Sequence, residues 1–380
     1  MTTTTAPSVL ENCHTLVVKL GSSLLVHGVE ERFDRGWFDT LTKDLVRLRA
    51  RGTNVVVVSS GAVALGCLQM GFVRAELKLA QIQAAAAIGQ IALAHEFRDM
   101  LRQHDITTAQ VLLTLEDTEQ RKRYLNARNT LESLLDMGII PVVNENDTVA
   151  TSEIRVGDND RLAARVAQMI SADCLLMLSD TEGLFTADPR SNPDATFLSC
   201  VREITPDIEA MAGIPGSQFG TGGMMTKIAA AKVAVASGCH MILASGAFEH
   251  PVKRVLDGAR CTHFVSSASP IAKRKQWIAG SLKAQGRLHV DDGAASALRG
   301  GSSLLPVGVV SADGQFERGD AVLIVDSQGR ELARGLAGYP VGEVHLICGL
   351  QSEAIEATLG YPGPDEIIHR DDLTLHDQNR

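Results

Sequence analysis

Residues 16–26 read LVVKLGSSLLV, an apolar run that ends in a lysine and a turn. Leu16 to Val18 predict a buried strand, and the Gly21 to Ser23 segment predicts a tight turn after it. Lys19 therefore lies at the end of a strand. Its ammonium either lies in water above a structural turn or points into a binding site. The second interpretation requires polar partners from other strands at the same edge.

Short apolar runs like this one recur along the chain and alternate with helical stretches. The runs lie at 16–20, 54–59, 110–113, 139–143, 174–178 and 241–244, and the helical stretches at 38–51, 77–104, 120–136, 160–171 and 224–237. This alternation is typical of an α/β fold, a three-layer αβα sandwich with a mostly parallel sheet. Ligands in such folds bind beyond the carboxyl ends of the strands, so we expect the chemistry in the segments that come after the apolar runs.

The sequence changes in character after about residue 268. The C-terminal part has short strand patterns, Asp-Gly and Gln-Gly turns and little helix. We therefore predict a flexible N-terminal tail over 1–14, an α/β domain over 15–275 and a small β-rich domain over 285–370.

Composition excludes several classes of protein. The chain has 380 residues, 45% of them hydrophobic, and a net charge of −9, which provides no basic surface for nucleic acid or anionic lipid. No window approaches the roughly 18 apolar residues of a membrane helix, and the N-terminus lacks a signal-peptide pattern. Seven scattered cysteines without a CxxC pair predict a reducing, cytoplasmic location and no structural zinc or other protein-held metal.

Two segments have the pattern of anion sites at helix starts. Ser60-Gly61-Ala62 follows the run VVVVS, and GTGGMMTK at 220–227 places Lys227 on the first turn of a helix. The second segment is not a Walker A loop, because Thr226 precedes the lysine and Ile228 follows it. Taken alone, each segment fits a phosphate site or an ordinary helix start.

Three further segments carry acids and amides after apolar runs. They are Asn144 to Asp147, Gly157 to Asp160, and Ser179-Asp180. A surface turn or a helix cap explains any one of them. Their coincidence with two anion segments at one predicted sheet edge favours phosphoryl transfer from a nucleotide to a carboxylate. Such an acceptor is already ionised at neutral pH and requires no general base.

Several longer sequence segments resemble those of a known family. VVKLGSSLL, VVVVSSGAVALG, PVVNENDTVATSEIRVGDND, LSDTEGLFTADPRSNP and GTGGMMTK have the order and spacing found in the glutamate 5-kinase family, enzymes of the amino acid kinase fold. RGGSSLLPVGV and GQFERGDAV resemble the PUA domain at the C-terminus of the bacterial enzymes. The likeness extends from about residue 15 to 370, so 15–275 corresponds to the amino acid kinase domain and 285–370 to a PUA-like domain.

The resemblance implies a reaction and a set of site residues. ATP would phosphorylate the γ-carboxylate of L-glutamate with Mg²⁺ bound, in the first step of proline biosynthesis. Lys19 and Lys227 would contact the phosphoryl group, and Asp160 would hold the lysines. Glutamate would be bound by Ser60, Asp147 and Asn159. The ATP site would comprise Lys19, Ser179, Asp180, Thr221, Gly222, Gly223, Met224, Met225, Thr226 and Lys227.

The resemblance also implies an inhibitor and an oligomeric state, and it leaves alternative functions open. Proline is expected as a feedback inhibitor, and the chain is expected to form a homo-oligomer, a dimer or a tetramer. Glu182 stands where a lysine also occurs in the family, which can alter nucleotide affinity. A kinase of the same fold could instead act on N-acetylglutamate, aspartate, carbamate or a nucleoside monophosphate. RNA binding is disfavoured, because residues 281–350 carry six Lys/Arg against eight Asp/Glu.

Overall fold

A computed structural model describes residues 5–27, 32–149, 158–189, 192–212, 222–281 and 284–376. The chain forms two compact units, Met1–Pro270 and Ile271–Arg380. This division lies a few residues before the boundary predicted from the sequence. No helix among the described residues is long and apolar enough to cross a membrane.

The described part of the first unit alternates strands and helices. Its strands are β1 (Thr15–Leu20), β2 (Val26–His27), β3 (Arg32–Phe33), β4 (Asn54–Ser59), β5 (Thr108–Leu113), β6 (Ile140–Glu145), β7 (Cys174–Ser179), β8 (Leu184–Phe185), β9 (Phe197–Leu198), β10 (Cys200–Val201), β11 (His240–Ser245) and β12 (Cys261–Phe264). Its helices are α1 (Ala6–Asn12), α2 (Arg35–Ala50), α3 (Ala62–Met70), α4 (Leu79–Arg102), α5 (Leu115–Glu119), α6 (Arg121–Asp136), α7 (Asp158–Met169), α8 (Pro206–Ala210), α9 (Gly222–Ala236) and α10 (Pro251–Leu256).

Eight of these strands form one sheet in the order β10-β12-β11-β7-β1-β4-β6-β5. All neighbours pair in parallel except β11 and β12, which are antiparallel. The central strand β1 lies between β7 and β4. Lys19 therefore reaches the carboxyl edge in the middle of the sheet, where neighbouring strands end beside it.

Alternate residues of β1 belong to the two apolar cores on opposite faces of the sheet. Leu16 and Val18 pack with residues of α1, α2, α4 and α10, whereas Val17 packs with residues of α6, α7 and α9. Both faces of the sheet are thus covered by helices. The three-layer αβα sandwich and the mostly parallel sheet are confirmed, although the sequence patterns did not identify the short strands β2, β3, β8 to β10 and β12.

The N-terminal segment differs from the predicted flexible tail. Ala6–Asn12 form helix α1, which the side chain of Thr5 caps by accepting a hydrogen bond from Ser8 N. Val9 and Leu10 are buried in the core beside α10. A single short helix provides too little periodicity to be recognised in the sequence, but its apolar face is enough to dock it.

Helices α3 and α4 approach each other unusually closely. A Cβ atom on Gly66 would lie 1.7 Å from the carbonyl oxygen of Ala85, and one on Gly89 would lie 1.8 Å from that of Ala62. No side chain larger than hydrogen fits at either position without moving backbone. The long helix α4 is therefore fixed against α3, whose first turn lies at the carboxyl edge of the sheet.

The second unit contains a separate, five-stranded sheet. Its order is β14-β13-β15-β16-β17, with one parallel pair, β13 and β15. The strands are β13 (Gly286–Val290), β14 (Val309–Gly314), β15 (Ala321–Val325), β16 (Glu331–Leu336) and β17 (Leu373–Leu375). The helices of this region are α11 (Pro270–Ser281), α12 (Asp292–Arg299), α13 (Val341–Ile347) and α14 (Ile355–Leu359). The predicted β-rich C-terminal fold is confirmed, with its own buried core around Leu288, Ile324 and Tyr339.

Candidate active site

A cavity of about 800 Å³ opens at the carboxyl edge of the eight-stranded sheet. It lies where β1, β4, β6 and β7 end, so residues far apart in sequence meet there. The predicted residues that line it are Lys19, Ser60, Asp147, Asn159, Asp160, Ser179, Asp180, Gly223, Met224 and Lys227. Met225 and Thr226 do not line this cavity, and Thr221 lies outside the described residues.

Asp160 is the charged centre of the cavity. Its side chain is 1% exposed, and its Oδ1 atom forms an ion pair with Lys19 Nζ. Its Oδ2 atom lies 3.3 Å from Lys227 Nζ and accepts a hydrogen bond of 2.8 Å from Thr226 Oγ1. One carboxylate from α7 thus holds two ammonium groups from β1 and α9. Thr226 does not line the cavity itself, but it donates a hydrogen bond to Asp160, which does.

The ionisation of this cluster follows from its burial and its charges. Burial lowers the pKa of Lys19 below its usual 10.5, although the Asp160 carboxylate opposes this effect. Burial also acts to raise the pKa of Asp160, but the two neighbouring ammonium groups outweigh it and hold that pKa below its usual 3.8. Asp160 is therefore ionised at neutral pH, and the cluster has two cations on one anion.

Helix starts add backbone donors to this cluster. Gly61 adopts a left-handed conformation with φ of 103° and directly precedes α3 as its N-cap, without a side-chain cap, which leaves the first N–H groups of the helix for water or an anion. The left-handed backbone favours glycine here. At the start of α9, Lys227 Nζ donates to the carbonyl of Gly223 at 3.2 Å, which fixes the lysine over its own first turn.

The other end of the cluster faces a group of buried amides and acids. Asn144, Glu145 and Asp147 lie at the end of β6 or just after it and are at most 9% exposed. Asn159 Oδ1 is buried without a hydrogen-bond partner among the described residues. A buried acceptor of this kind requires a donor, which a bound ligand can supply. Asn144 and Glu145 were not chosen as site residues from the sequence, although their position at a strand end pointed to them.

One more cation lies at the rim of the cavity. Arg74, in the single turn Arg74–Glu76 between α3 and α4, joins Lys19 and Lys227 as the third positive side chain among the described lining residues. Sequence reasoning did not identify it, because this turn comes after a helix rather than a strand. The described lining contains no histidine and no cysteine, so a chemistry with an obvious base or thiol nucleophile is not favoured.

The cavity lining also contains apolar side chains. Ser179 Oγ donates to Asp180 Oδ1 at 2.9 Å, and the lining residues that follow them in sequence include the apolar Phe185, Met211 and Met224. Such a surface suits a planar aromatic ring. Glu182 also lines the cavity, and Arg260 pairs with it at 3.2 Å. The charge that Glu182 brings in place of a lysine is thus partly balanced by this neighbour.

Comparisons with known proteins identify the family of this chain. The profile of the amino acid kinase family matches residues 14–245, and that of the PUA domain matches 286–359. The glutamate 5-kinase of Paramagnetospirillum magneticum is 57% identical over 360 residues, which cover 95% of this chain and 97% of the relative. The glutamate 5-kinase of Agrobacterium fabrum is 53% identical over 96% of this chain and 94% of the relative.

The solved structures that resemble this chain are more distantly related to it in sequence. A carbamate kinase from Giardia lamblia bound to AMP-PNP has a TM-score of 0.49 at 16% identity, over 68% of this chain and 100% of that chain, which is too remote to assign a role to any residue. The family itself is shown by the sequence relatives and the two profiles. The chain belongs to the amino acid kinase family and, within it, to the group formed by the glutamate 5-kinases, with a C-terminal PUA domain.

Proposed function

We propose that this protein transfers the γ-phosphoryl group of ATP to the γ-carboxylate of L-glutamate, giving ADP and γ-glutamyl phosphate, the first step of proline biosynthesis. The observation that carries the proposal is the pair of lysines held by Asp160 at the carboxyl edge of the sheet. The relatives at 57% and 53% identity supply the acceptor, since both are named glutamate 5-kinases.

The two lysines suit the charge that develops during direct in-line transfer. The moving phosphoryl group spreads negative charge over its oxygens, and preorganised cations in a site with little water stabilise that charge. Lys19 and Lys227 are at most 9% exposed, and their shared contact with Asp160 restricts their motion. The helix starts at Gly61 and Gly222 would add backbone donors. The acceptor carboxylate attacks in its ionised form, so no base is required.

The acceptor end of the cavity matches a free amino acid. Asp147 would pair with the ammonium of glutamate, while Ser60 and Asn159 would act as polar partners. The unpaired Asn159 Oδ1 suits an N–H donor of that ammonium. Arg74 at the rim supplies a cation of the type that an α-carboxylate requires. Each charged group of glutamate, its two carboxylates and its ammonium, would thus have an oppositely charged side chain in the cavity.

ATP would occupy the part of the cavity that extends from Ser179 and Asp180 to the start of α9. Mg²⁺ suits this site as an ion carried by the nucleotide. No three His, Cys, Asp or Glu side chains converge on one point in the described ranges, and Mg²⁺ is commonly held by one or two carboxylates together with phosphates. Asp180, which lines the cavity within the proposed ATP site, is a carboxylate that could contribute to holding the ion. When bound, the ion would neutralise phosphate charge.

Three further properties belong to the proposal. Proline would act as a feedback inhibitor through the glutamate pocket and the loops over 144–160. The protein would assemble as a homo-oligomer, a dimer or a tetramer. The seven cysteines are all free thiols, which supports a reducing compartment such as the cytoplasm.

The decisive experiment incubates the protein with MgATP and L-glutamate, N-acetylglutamate or L-aspartate, with hydroxylamine to trap an acyl phosphate. We expect ADP release and hydroxamate formation that depend on glutamate. Turnover with another acceptor and none with glutamate would overturn the choice of acceptor but retain the phosphoryl site. No turnover with any carboxylate acceptor would overturn the proposed reaction.

A further inference from the structure

Gln90 lies in the middle of α4, outside the cavity, and contacts one of the residues that line it. Asn144 Nδ2 donates a hydrogen bond of 2.6 Å to Gln90 Oε1. Asn144 is 1% exposed and lies near the end of β6 at the wall of the cavity. Gln90 itself does not line the cavity. A helix on one face of the sheet is thereby connected to the acceptor end of the site.

This contact leaves Asn144 only one orientation. Its Oδ1 atom accepts a hydrogen bond of 2.9 Å from the backbone N–H of Glu145. A flipped amide would direct an N–H donor at that N–H and an acceptor at Gln90 Oε1, so both bonds would be lost. With Oδ1 and one Nδ2 hydrogen in use, Asn144 retains a second Nδ2 hydrogen for a ligand.

The backbone that carries Gln90 is held in place by its neighbour. A Cβ atom on Gly89 would lie 1.8 Å from the carbonyl oxygen of Ala62, the first residue of α3. The same α3 start lines the cavity through Ser60 to Ala64. The close contact between α3 and α4 therefore fixes the position of the Gln90 backbone relative to Asn144 and the cavity.

The stability of the fold does not explain an amide at this position. Gln90 Nε2 is buried and has no hydrogen-bond partner among the described residues. A buried donor without a partner is unfavourable, and an apolar side chain of the same size would avoid that cost. What such a side chain could not provide is the acceptor for Asn144.

We infer that Gln90 is a positioning residue that orients Asn144, so that the free Nδ2 hydrogen of Asn144 is presented to a carboxylate oxygen of the acceptor. This inference rests on the proposed function, which places the acceptor at this end of the cavity. Gln90 acts on the affinity for the acceptor and not on the phosphoryl transfer, because Lys19, Lys227 and Asp160 do not contact it.

The test compares Gln90→Leu with Gln90→Glu. Gln90→Leu removes the acceptor and the unpaired donor together. We expect the KM for glutamate to rise about tenfold, the value of one lost hydrogen bond, with the KM for ATP unchanged. The melting temperature should change little, because the variant removes one buried unpaired donor but leaves the Asn144 Nδ2 hydrogen without its acceptor. Gln90→Glu retains an acceptor oxygen in either ionisation state and is expected to keep the KM for glutamate near that of the wild type. Gln103→Leu, at the exposed C-terminal end of α4, is the matched control.

A double-mutant cycle with Asn144→Ala determines whether Gln90 acts through Asn144. We expect Gln90→Leu to have no further effect on the KM for glutamate in the Asn144→Ala protein. Additive effects, or a normal KM in Gln90→Leu, would overturn the inference. The stabilisation of the protein by glutamate against heat provides a readout without turnover, and we expect it to weaken in Gln90→Leu while that by AMP-PNP persists.

These outcomes are separate from those of the proposed function. If the wild-type protein uses glutamate and Gln90→Leu is normal, only the positioning role fails. If the wild type uses a different carboxylate acceptor, the proposed acceptor fails, and the same cycle is measured with the acceptor that it does use.

Discussion

Lys227 Nζ lies 3.3 Å from Asp160 Oδ2, although 67 residues separate the two in sequence. Lys227 comes from the first half of α9 and Asp160 from the first turn of α7, and both are buried. Lys19 completes the group from β1. Three segments that are far apart in sequence thus form one charged site. A single substitution can remove each of its charges separately.

Lys227→Ala is expected to reduce kcat by two to three powers of ten, because about 3 to 4 kcal/mol of charge stabilisation in the transition state is lost. The control is Lys232→Ala on the same helix, where the lysine pairs with Glu209 at 2.6 Å outside the cavity. Steady-state kinetics of both variants measures the effect. A Lys227→Ala protein with near-normal kcat would contradict the assignment.

Asp160→Asn is expected to change the pH dependence of kcat. The Asp160 carboxylate raises the pKa of Lys19 against the larger, lowering effect of burial, so removing the charge lowers that pKa further. Lys19 then loses its proton at a lower pH, and we expect the alkaline limb of the kcat profile to move to lower pH. Asp99→Asn, an exposed carboxylate on α4, should leave the limb unchanged. An unchanged limb in Asp160→Asn would exclude this role.

Asp147→Asn is expected to affect the acceptor alone. Its carboxylate would pair with the substrate ammonium, so the neutral amide should reduce kcat/KM for glutamate by about a hundredfold, with the KM for ATP within about twofold of the wild type. Because N-acetylglutamate has no ammonium, any activity with it should fall much less. Equal losses for the two acceptors would show that Asp147 acts elsewhere.

His263 is expected to make the folded state less stable in acid. It is 3% exposed, and burial, followed by the nearby His240 and Arg202, lowers its pKa from 6.5 to about 4. Between these values the unfolded chain binds more protons than the folded one, so the free energy of unfolding falls as the pH drops from 6.5 to 4. Urea unfolding at pH 7.5 and pH 5 measures the difference. His263→Gln, which retains a donor for His240 Nδ1, should lose less stability on acidification.

Gly89→Ala is expected to destabilise the protein by about 3 kcal/mol or more, since its methyl group would overlap the backbone of Ala62. The control is Gly36→Ala in α2, where the nearest atom to the new Cβ is Asp34 Oδ1 at 3.5 Å. That exposed helical position should tolerate alanine or become slightly more stable. Thermal unfolding of the two variants side by side tests the close approach of α3 and α4.

The fold was largely predictable from the sequence, because buried parallel strands give uninterrupted apolar runs and their helices have clear periods. Lys19 could be placed at the end of a strand in the same way. The contact of both lysines with Asp160 could not be derived from patterns, since it depends on how β1, α7 and α9 pack, and only the family resemblance implied it.

Other parts of the site could not be recognised from any pattern in the sequence. Gln90 lies in a helix rich in alanine whose composition indicates packing alone, and its role depends on one contact with Asn144. Arg74 comes after a helix, so the rule that sites lie after strands did not apply to it. Helix α1 was missed because seven residues contain less than two full periods of an amphipathic pattern.

The single carboxylate shared by two lysines also has a consequence for the enzyme before it binds nucleotide. Asp160 is the counter-ion of both Lys19 and Lys227. In the proposed reaction, a phosphate that enters the site would compete with Asp160 for the two lysines. Binding would then exchange ionic partners within a preassembled group instead of bringing charges together from water, which would keep the cost of reorganisation small.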